Sequence, residues 1–475
     1  MKVFLCCLSF FLASSSFGQI ADTDSSNKLV EKLVDLINKG DSKNFEASAT
    51  NDFLTTIPKG ALPGFVLQIH MMGELGKPEL LLDLGEQRHY RIIVTPKGKP
   101  QKEILFVIGA ESADKFFSIG AAPYKQPIAD EMANTNPLKS DIDKSVQDAV
   151  GRYAGQHELV GISIGVLRNG HESFYEYGYA NKEMSTPPND RTIYEIGSIT
   201  KTMTGILIAR SVNDKKLSLD DDIRKYLPGE YPNLEYQGAP IRLRHLVTHT
   251  SGLPANPPGI PDDAGAEGYE SYSHEKLLAD LAKVQLKRTP GTQYSYSNMG
   301  GGLAGLILEN VYKKSYEELA KEYIFRPAGM RNTGLALSKQ MDARYATPYD
   351  SHVKVTDRWV VNGIESAGAV RSDVRDMLRY ARWNLDGKDP AVALSQKPIL
   401  EISNAPQSGI FWGLGDSRTG GTYLSHDGGT GGFSCNVMIM PREKLAVVIL
   451  MNSGEQQPGQ LAYEIALRIL NASKK

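Results

Sequence analysis

The chain has 475 residues, more than a single hydrophobic core usually organises, so two domains are expected. Its 41% hydrophobic and 23% charged residues exclude a disordered or low-complexity chain. Lys+Arg 53 against Asp+Glu 55 gives a net charge of -2 with no basic run or stripe, so a nucleic-acid partner is not expected.

Residues 1–19 have the layout of a signal peptide: Lys2, an apolar stretch from Val3 to Ala13, then small residues up to Gly18 and Gln19. That stretch is far shorter than the roughly 20 residues a bilayer crossing needs, and no later segment reaches that length. Export to a periplasm or beyond is expected, without stable membrane insertion. Cys6 and Cys7 lie inside the apolar stretch, too early to become a lipidated first residue. Once the leader is removed, Cys435 is the only cysteine left, so no internal disulfide can form. Its apolar neighbours between Phe433 and Met440 mark it as a core residue.

Residues 20–120 read as a small α+β accessory domain. Leu29, Leu33, Leu36 and Ile37 share one face of a helix over 27–39, with Gly40 as its stop, and a second helix is predicted over Ala61–Leu75. Strand-like runs follow at Glu79–Leu84, His89–Thr95, Glu103–Ile108 and Lys115–Ile119, separated by turns such as Pro96-Lys97-Gly98. In this order of elements the segment resembles the cone-shaped NTF2-like domains. Residues 121–139, with Pro123, Pro127 and Pro137 among polar residues, read as a linker.

The second domain, 140–475, opens with a helix over Ile142–Tyr153 and a strand over Gly161–Leu167. A tight Arg168-Asn169-Gly170 turn leads to a strand over His171–Tyr179. At the far end Thr422–Ser425, Ser434–Met440 and Leu445–Met451 are strand-like, and a helix covers Gly459–Leu470. Strands at both ends flank a long helix-rich middle. This predicts one antiparallel sheet built from both ends, flanked by helices, with a helical insertion; no internal repeat is present.

The chemistry lies in an ordered set of short motifs. Ser198-Ile199-Thr200-Lys201 precedes Met203, Ile206, Leu207 and Ala209, a helical pattern that starts at or just before the serine. Residues three apart on a helix face the same way, so Lys201 is within reach of Ser198. A serine hydroxyl becomes a nucleophile when an adjacent base takes its proton, and a buried lysine with a lowered pKa is such a base. The pattern alone is weak, because S-x-x-K recurs at Ser25, Ser112 and Ser273 and serine at a helix start is commonly an N-cap. Tyr296-Ser297-Asn298 and His426-Asp427-Gly428 follow in order. Y-x-N recurs at Tyr179 and Tyr231, whereas H-x-G occurs once.

With this ordered triple, the segment from Ser140 to the C-terminus resembles the serine β-lactamase/penicillin-binding protein superfamily, in the branch of class C β-lactamases, DD-peptidases and esterase relatives. Supporting stretches are Arg244–Leu253, Pro290-Gly291, and Glu365–Val370 followed by Ser372. The resemblance implies an α/β (α+β) fold in which an antiparallel sheet is flanked by helices beside a helical subdomain. It implies Ser198 as nucleophile, Lys201 as its proton partner and Tyr296 as a phenolate-leaning general base. Asn298 would orient the substrate and Lys201, the N–H groups of Ser198 and Gly429 would form an oxyanion hole, and the small Gly428 and Gly429 would let an acyl group approach the strand edge.

One departure is informative. Many members that recognise a penicillin carboxylate carry Lys-Thr-Gly at the third motif, where this chain has His426 and Asp427. A histidine is mostly neutral at pH 7 or above, which favours a peptide, amide or ester over an anionic β-lactam. Asp427, by strand alternation, points to the other face and is structural.

His245 and His249 stand four apart, but the zinc-peptidase pattern needs a Glu directly after the first His and Leu246 stands there, so no metal is expected. No cofactor is implied either. Trp412 is equally consistent with cleft and core. The expected activity is hydrolysis through an acyl-Ser198 intermediate of a small-molecule or short-peptide substrate: a D-amino-acid peptide, a small ester or a β-lactam. The alternative is a slowly deacylating penicillin-binding or sensing protein, and a third reading gives the N-terminal domain a ligand- or partner-binding role. Residues Asn256–Glu270 are expected to form a lid.

Overall fold

The computed structural model describes residues 23–56, 61–71, 73–83, 87–94, 102–109, 116–123, 132–261, 264–399, 407–417 and 421–472. The leader reading at 1–19 and the turn at Pro96-Lys97-Gly98 lie outside these residues. The chain divides into two compact units, Met1–Lys125 and Gln126–Lys475.

In the first unit the helices α1 (Thr23–Asn38), α2 (Ser42–Ala47), α3 (Asn51–Thr56) and α4 (Ala61–His70) precede the strands β1 (Glu79–Asp83), β2 (Gln87–Val94), β3 (Lys102–Gly109) and β4 (Phe116–Pro123). The strands form one antiparallel sheet in sequential order. The predicted face of α1 is the buried one: Leu29, Leu33, Leu36 and Ile37 pack with Phe45, Val66 and Ile69 against the alternating Tyr90, Ile92 and Val94 of β2. Gly40 ends the run at φ +68. Helices α2 and α3 are additions to the sequence reading, each six residues long. Such a length is too short for a 3.6-residue period to show; α2 is instead specified by its cap, Asp41 accepting the Asn44 N–H at 3.2 Å.

The stretch read as a linker over 121–139 is shorter in the structure. Its first residues complete β4, and Asn134 bridges Tyr177 while Thr135 N–H donates to the Glu176 carbonyl at 3.0 Å. The second unit therefore begins before residue 140.

In the second unit, α5 (Asp141–Gln156) starts at a capping box between Ser140 and Asp143. Strands β5 (Gly161–Arg168) and β6 (His171–Gly178) form the predicted hairpin, with Asn169 at φ 51 and Gly170 at φ 86 as its two-residue turn demands. The helix-rich middle includes α6 (Thr200–Asn213), α7 (Asn298–Tyr312) and α8 (Val374–Asp386). Strands β7 (Gly413–Asp416), β8 (Thr422–Gly429), β9 (Ser434–Met440) and β10 (Leu445–Met451) and helix α9 (Pro458–Ala472) complete the chain.

The six-stranded antiparallel sheet runs β7-β8-β9-β10-β5-β6, so strands from the two ends of the unit meet where β10 pairs with β5. Strand β10 is buried on both sides. Val447, Ile449 and Met451 pack with Val146 and Val150 of α5 and Leu461 and Ile465 of α9. Ala446, Val448 and Leu450 belong to the opposite core, which holds α6 and α8. Trp412 lies in that core at 0% exposure, stacked on Tyr380 with centroids 6.4 Å apart, which decides between cleft and core. Cys435 is also fully buried, its thiol donating to the Glu195 carbonyl at 3.3 Å.

Because β10 joins both layers, truncating Ile449 to Ala is expected to destabilise the fold by about 2–5 kcal/mol. Equilibrium urea unfolding should show a lower midpoint with an unchanged slope.

Candidate active site

The nucleophile turn exists because two glycine-bearing segments approach closer than side chains would permit. The short strand Tyr194–Glu195 ends just before Ile196, Gly197 takes φ +50, and a 3-10 turn over Gly197–Ile199 runs directly into α6. The end of β8 packs on this turn. A methyl group on Gly428 would fall 1.9 Å from the Ile196 carbonyl oxygen, and one on Gly197 would fall 2.6 Å from the Gly429 nitrogen. Gly428 and Gly429 are thus fixed by backbone contact with the segment carrying Ser198, and the Gly429 N–H is brought beside the nucleophile turn.

The other S-x-x-K sites set this one apart. Ser273 caps its helix, accepting the Lys276 N–H at 3.3 Å. The Ser198 turn and α6 have no side-chain cap, and the Ser198 hydroxyl is 2.9 Å from Lys201 Nζ. Ser25 and Ser112 belong to the first unit.

Lys201 is entirely buried, and its amine meets Asn298 Oδ1 at 2.7 Å and the Ala367 carbonyl at 2.6 Å. Burial holds its pKa well below the usual lysine range, with no carboxylate acting against that shift. The hydrogen-bond valences then follow. In its neutral form a lysine amine has two N–H groups and one lone pair; with the hydrogens on the obligate acceptors Asn298 Oδ1 and Ala367 O, the lone pair would face the Ser198 hydroxyl. Asn298 is held in the orientation this needs because its Nδ2 donates to Asn256 Oδ1 at 2.8 Å.

The Ala367 carbonyl, a Lys201 partner within Glu365–Val370, is not marked by the motifs. Its position depends on α7, where Gly302 and Gly305 leave room for Ile364 and Ser366, and on Thr204 donating to the Ser366 carbonyl at 2.7 Å. A main-chain acceptor leaves no side-chain signature; the glycines of α7 were the signal that something packs closely there.

Tyr296 hydrogen-bonds Ser198, and Lys201 Nζ lies 5.0 Å from its ring centroid. Burial raises the Tyr296 pKa, which acts against the expected phenolate. His426 is half-buried on β8, its Nδ1 2.6 Å from the Asp427 carbonyl. Burial above all pushes its pKa down to about 4, so it is neutral near pH 7, and a ring that donates from Nδ1 presents an acceptor at Nε2. Asp427 turns the other way and accepts from Asn436 Nδ2 at 2.9 Å. His245 and His249 spend their Nδ1 atoms on the N–H groups of Arg242 at 3.1 Å and Ser297 at 3.2 Å. Among the described residues no group of His, Cys, Asp and Glu is arranged to hold a metal ion.

A family model described as beta-lactamase matches residues 144–470. The chain belongs to the beta-lactamase family. It is 27% identical over 376 residues to a beta-lactamase of Escherichia coli K12, covering 71% of this chain and 96% of that one. It is 25% identical over 353 residues to protein flp of Staphylococcus aureus N315, covering 71% and 68%. Among solved structures it is similar to a penicillin-binding protein homologue from Pyrococcus abyssi, at 26% identity and TM-score 0.61 over 69% of this chain and 77% of that one. A class C beta-lactamase from Rhodobacter sphaeroides matches at 26% identity and TM-score 0.60, covering 69% and 99%. The protein is therefore a β-lactamase-related serine hydrolase of the β-lactamase/penicillin-binding protein superfamily, with the matching α/β fold.

Two outcomes follow from this geometry. Gly428→Ala, which must displace backbone, is expected to cost about 1–3 kcal/mol and to lower the rate of Ser198 labelling by a fluorophosphonate. In the wild type that rate should rise with pH, since the competent form of Lys201 is deprotonated. Stopped-time labelling across a pH series should level off well below about pH 10.4, the ordinary lysine midpoint.

Proposed function

We propose that this hydrolase works through an acyl-Ser198 intermediate on neutral ester or amide substrates, among them small esters and D-amino-acid peptides. The observation that carries the reading is the buried amine of Lys201, 2.9 Å from Ser198 Oγ and with its two hydrogens committed elsewhere. As Ser198 Oγ attacks the substrate carbonyl, its proton passes to the Lys201 lone pair. The carbonyl oxygen gains negative charge and is met by the N–H groups of Ser198 and Gly429, each such donor being worth about 10²–10³-fold in rate. Tyr296, a phenol bonded to Ser198, gives its proton to the departing group and regains one from the Lys201 ammonium. In the second half a water loses its proton into the same Lys201–Tyr296 pair and attacks the acyl carbon, and Ser198 leaves with a proton.

The preference for a neutral substrate rests on His426. A cation at that position would hold a carboxylate; a neutral imidazole with an acceptor nitrogen suits an N–H or O–H donor of the substrate. The leader-like residues 1–19 support export, and no described helix is long and apolar enough to cross a membrane.

The test exposes the mature protein to a fluorophosphonate, a penicillin and a panel of D-amino-acid esters and peptides, with Ser198→Ala alongside, read by intact-protein mass spectrometry and product formation. Label on Ser198 with turnover of an ester or peptide is expected. Label that persists without turnover would replace this reading by the slowly deacylating binding or sensing protein, and equal behaviour of Ser198→Ala would remove Ser198 from the chemistry.

A further inference from the structure

We infer that His249 is a positioning residue that holds the Tyr296 phenol in place for the proton transfers proposed above, a conclusion that rests on that reading. The backbone around it is the first ground. His249 sits at φ +56, a left-handed conformation uncommon for a ring-bearing side chain. Its carbonyl accepts the Ser295 N–H at 2.7 Å, and the Thr250 carbonyl accepts the Gly291 N–H at 2.8 Å. The loop that presents His249 is therefore laced to the segment that presents Tyr296.

The side chain is the second ground. The imidazole lies against the Tyr296 ring with centroids 4.3 Å apart and planes tilted by 35°, and Phe411 approaches it at 5.3 Å. Nδ1 accepts the Ser297 N–H at 3.2 Å. One ring thus fixes residue 296 by contact and residue 297 by a hydrogen bond, immediately before the Asn298 that orients Lys201. Ser297 in turn caps α7 by accepting the Gly300 N–H at 2.9 Å, so the anchor extends into the helix start.

The third ground is a cost that the position tolerates. With Nδ1 acting as acceptor in a neutral ring, the proton sits on Nε2, and that nitrogen is buried with no hydrogen-bond partner. An unsatisfied buried donor costs about 1–3 kcal/mol. Phenylalanine would remove that cost but supply no acceptor for Ser297, and asparagine would supply the acceptor but no ring for Tyr296. Only an aromatic side chain with a nitrogen at the δ position does both. Burial keeps the ring uncharged.

The experiment separates the two contacts. His249→Asn keeps a δ acceptor and tolerates the left-handed backbone, and His249→Phe keeps the ring. For the ester best turned over, both are expected to lower kcat by about tenfold or more, within the range a small misplacement of a catalytic group produces, with KM changed less than about threefold. The Asn variant should melt within a few degrees of the wild type. A kcat for His249→Asn within about twofold of wild type would overturn the inference, as would an Asn variant that fails to fold, since His249 would then serve the fold alone. Ser198→Ala measured in parallel keeps the two readings apart: surviving turnover there removes the serine mechanism itself, whereas its loss beside an unaffected His249→Asn removes only the role of His249.

Discussion

The site depends on a lysine amine buried without a carboxylate. Removing an ammonium from water costs several kcal/mol when no anion accompanies it, so burial favours the neutral amine, the form that the proposed mechanism needs as a base. Each neighbour of Lys201 then reads as a consequence. Two obligate acceptors, Asn298 Oδ1 and the Ala367 carbonyl, take the amine hydrogens and aim the lone pair at Ser198. Had either acceptor been a carboxylate, the lysine would have stayed charged and Ser198 would have lost its proton acceptor.

Burial acts in the same sense on the groups around it. It favours the phenol of Tyr296, the form in which the proposed mechanism uses that residue to carry protons. His426, near Lys201 and half-buried, stays an imidazole over the whole neutral range. Burial shifts Lys201, Tyr296 and His426 each toward the uncharged form. Charge appears when a substrate reacts, and the preformed donors and acceptors then have the most to gain.

Backbone proximity is the second constraint, and it links the sheet to the chemistry. Strand β8 meets the Ser198 turn through Gly428 and Gly197, at distances that exclude any side chain, and α7 meets the Ala367 turn through Gly302 and Gly305. Both contacts couple the catalytic turn to rigid elements: the sheet whose β10 is packed on both faces, and a helix whose first residue is Asn298.

Periodicity and turn chemistry in the sequence determined most of the architecture. The buried face of α1, the Asn169-Gly170 hairpin and a sheet assembled from both ends of the second unit all follow from local patterns, because burial on one face imposes a period and a two-residue turn imposes positive φ. The ordered motifs around Ser198 and Tyr296 converge in the structure, with Lys201 Nζ 2.9 Å from Ser198 Oγ and 5.0 Å from the Tyr296 ring centroid. Helices α2 and α3 escaped because six residues carry too little periodicity, and the linker was overestimated because a polar extended segment reads alike in solvent and on a sheet edge. Tertiary structure alone set the direction in which burial shifts Lys201 and Tyr296. The state of Lys201 and Tyr296, the part played by the Ala367 carbonyl and the place of His249 depend on burial and on which groups converge from distant segments, and a linear sequence encodes neither the dielectric around a side chain nor the partner that folding brings to it.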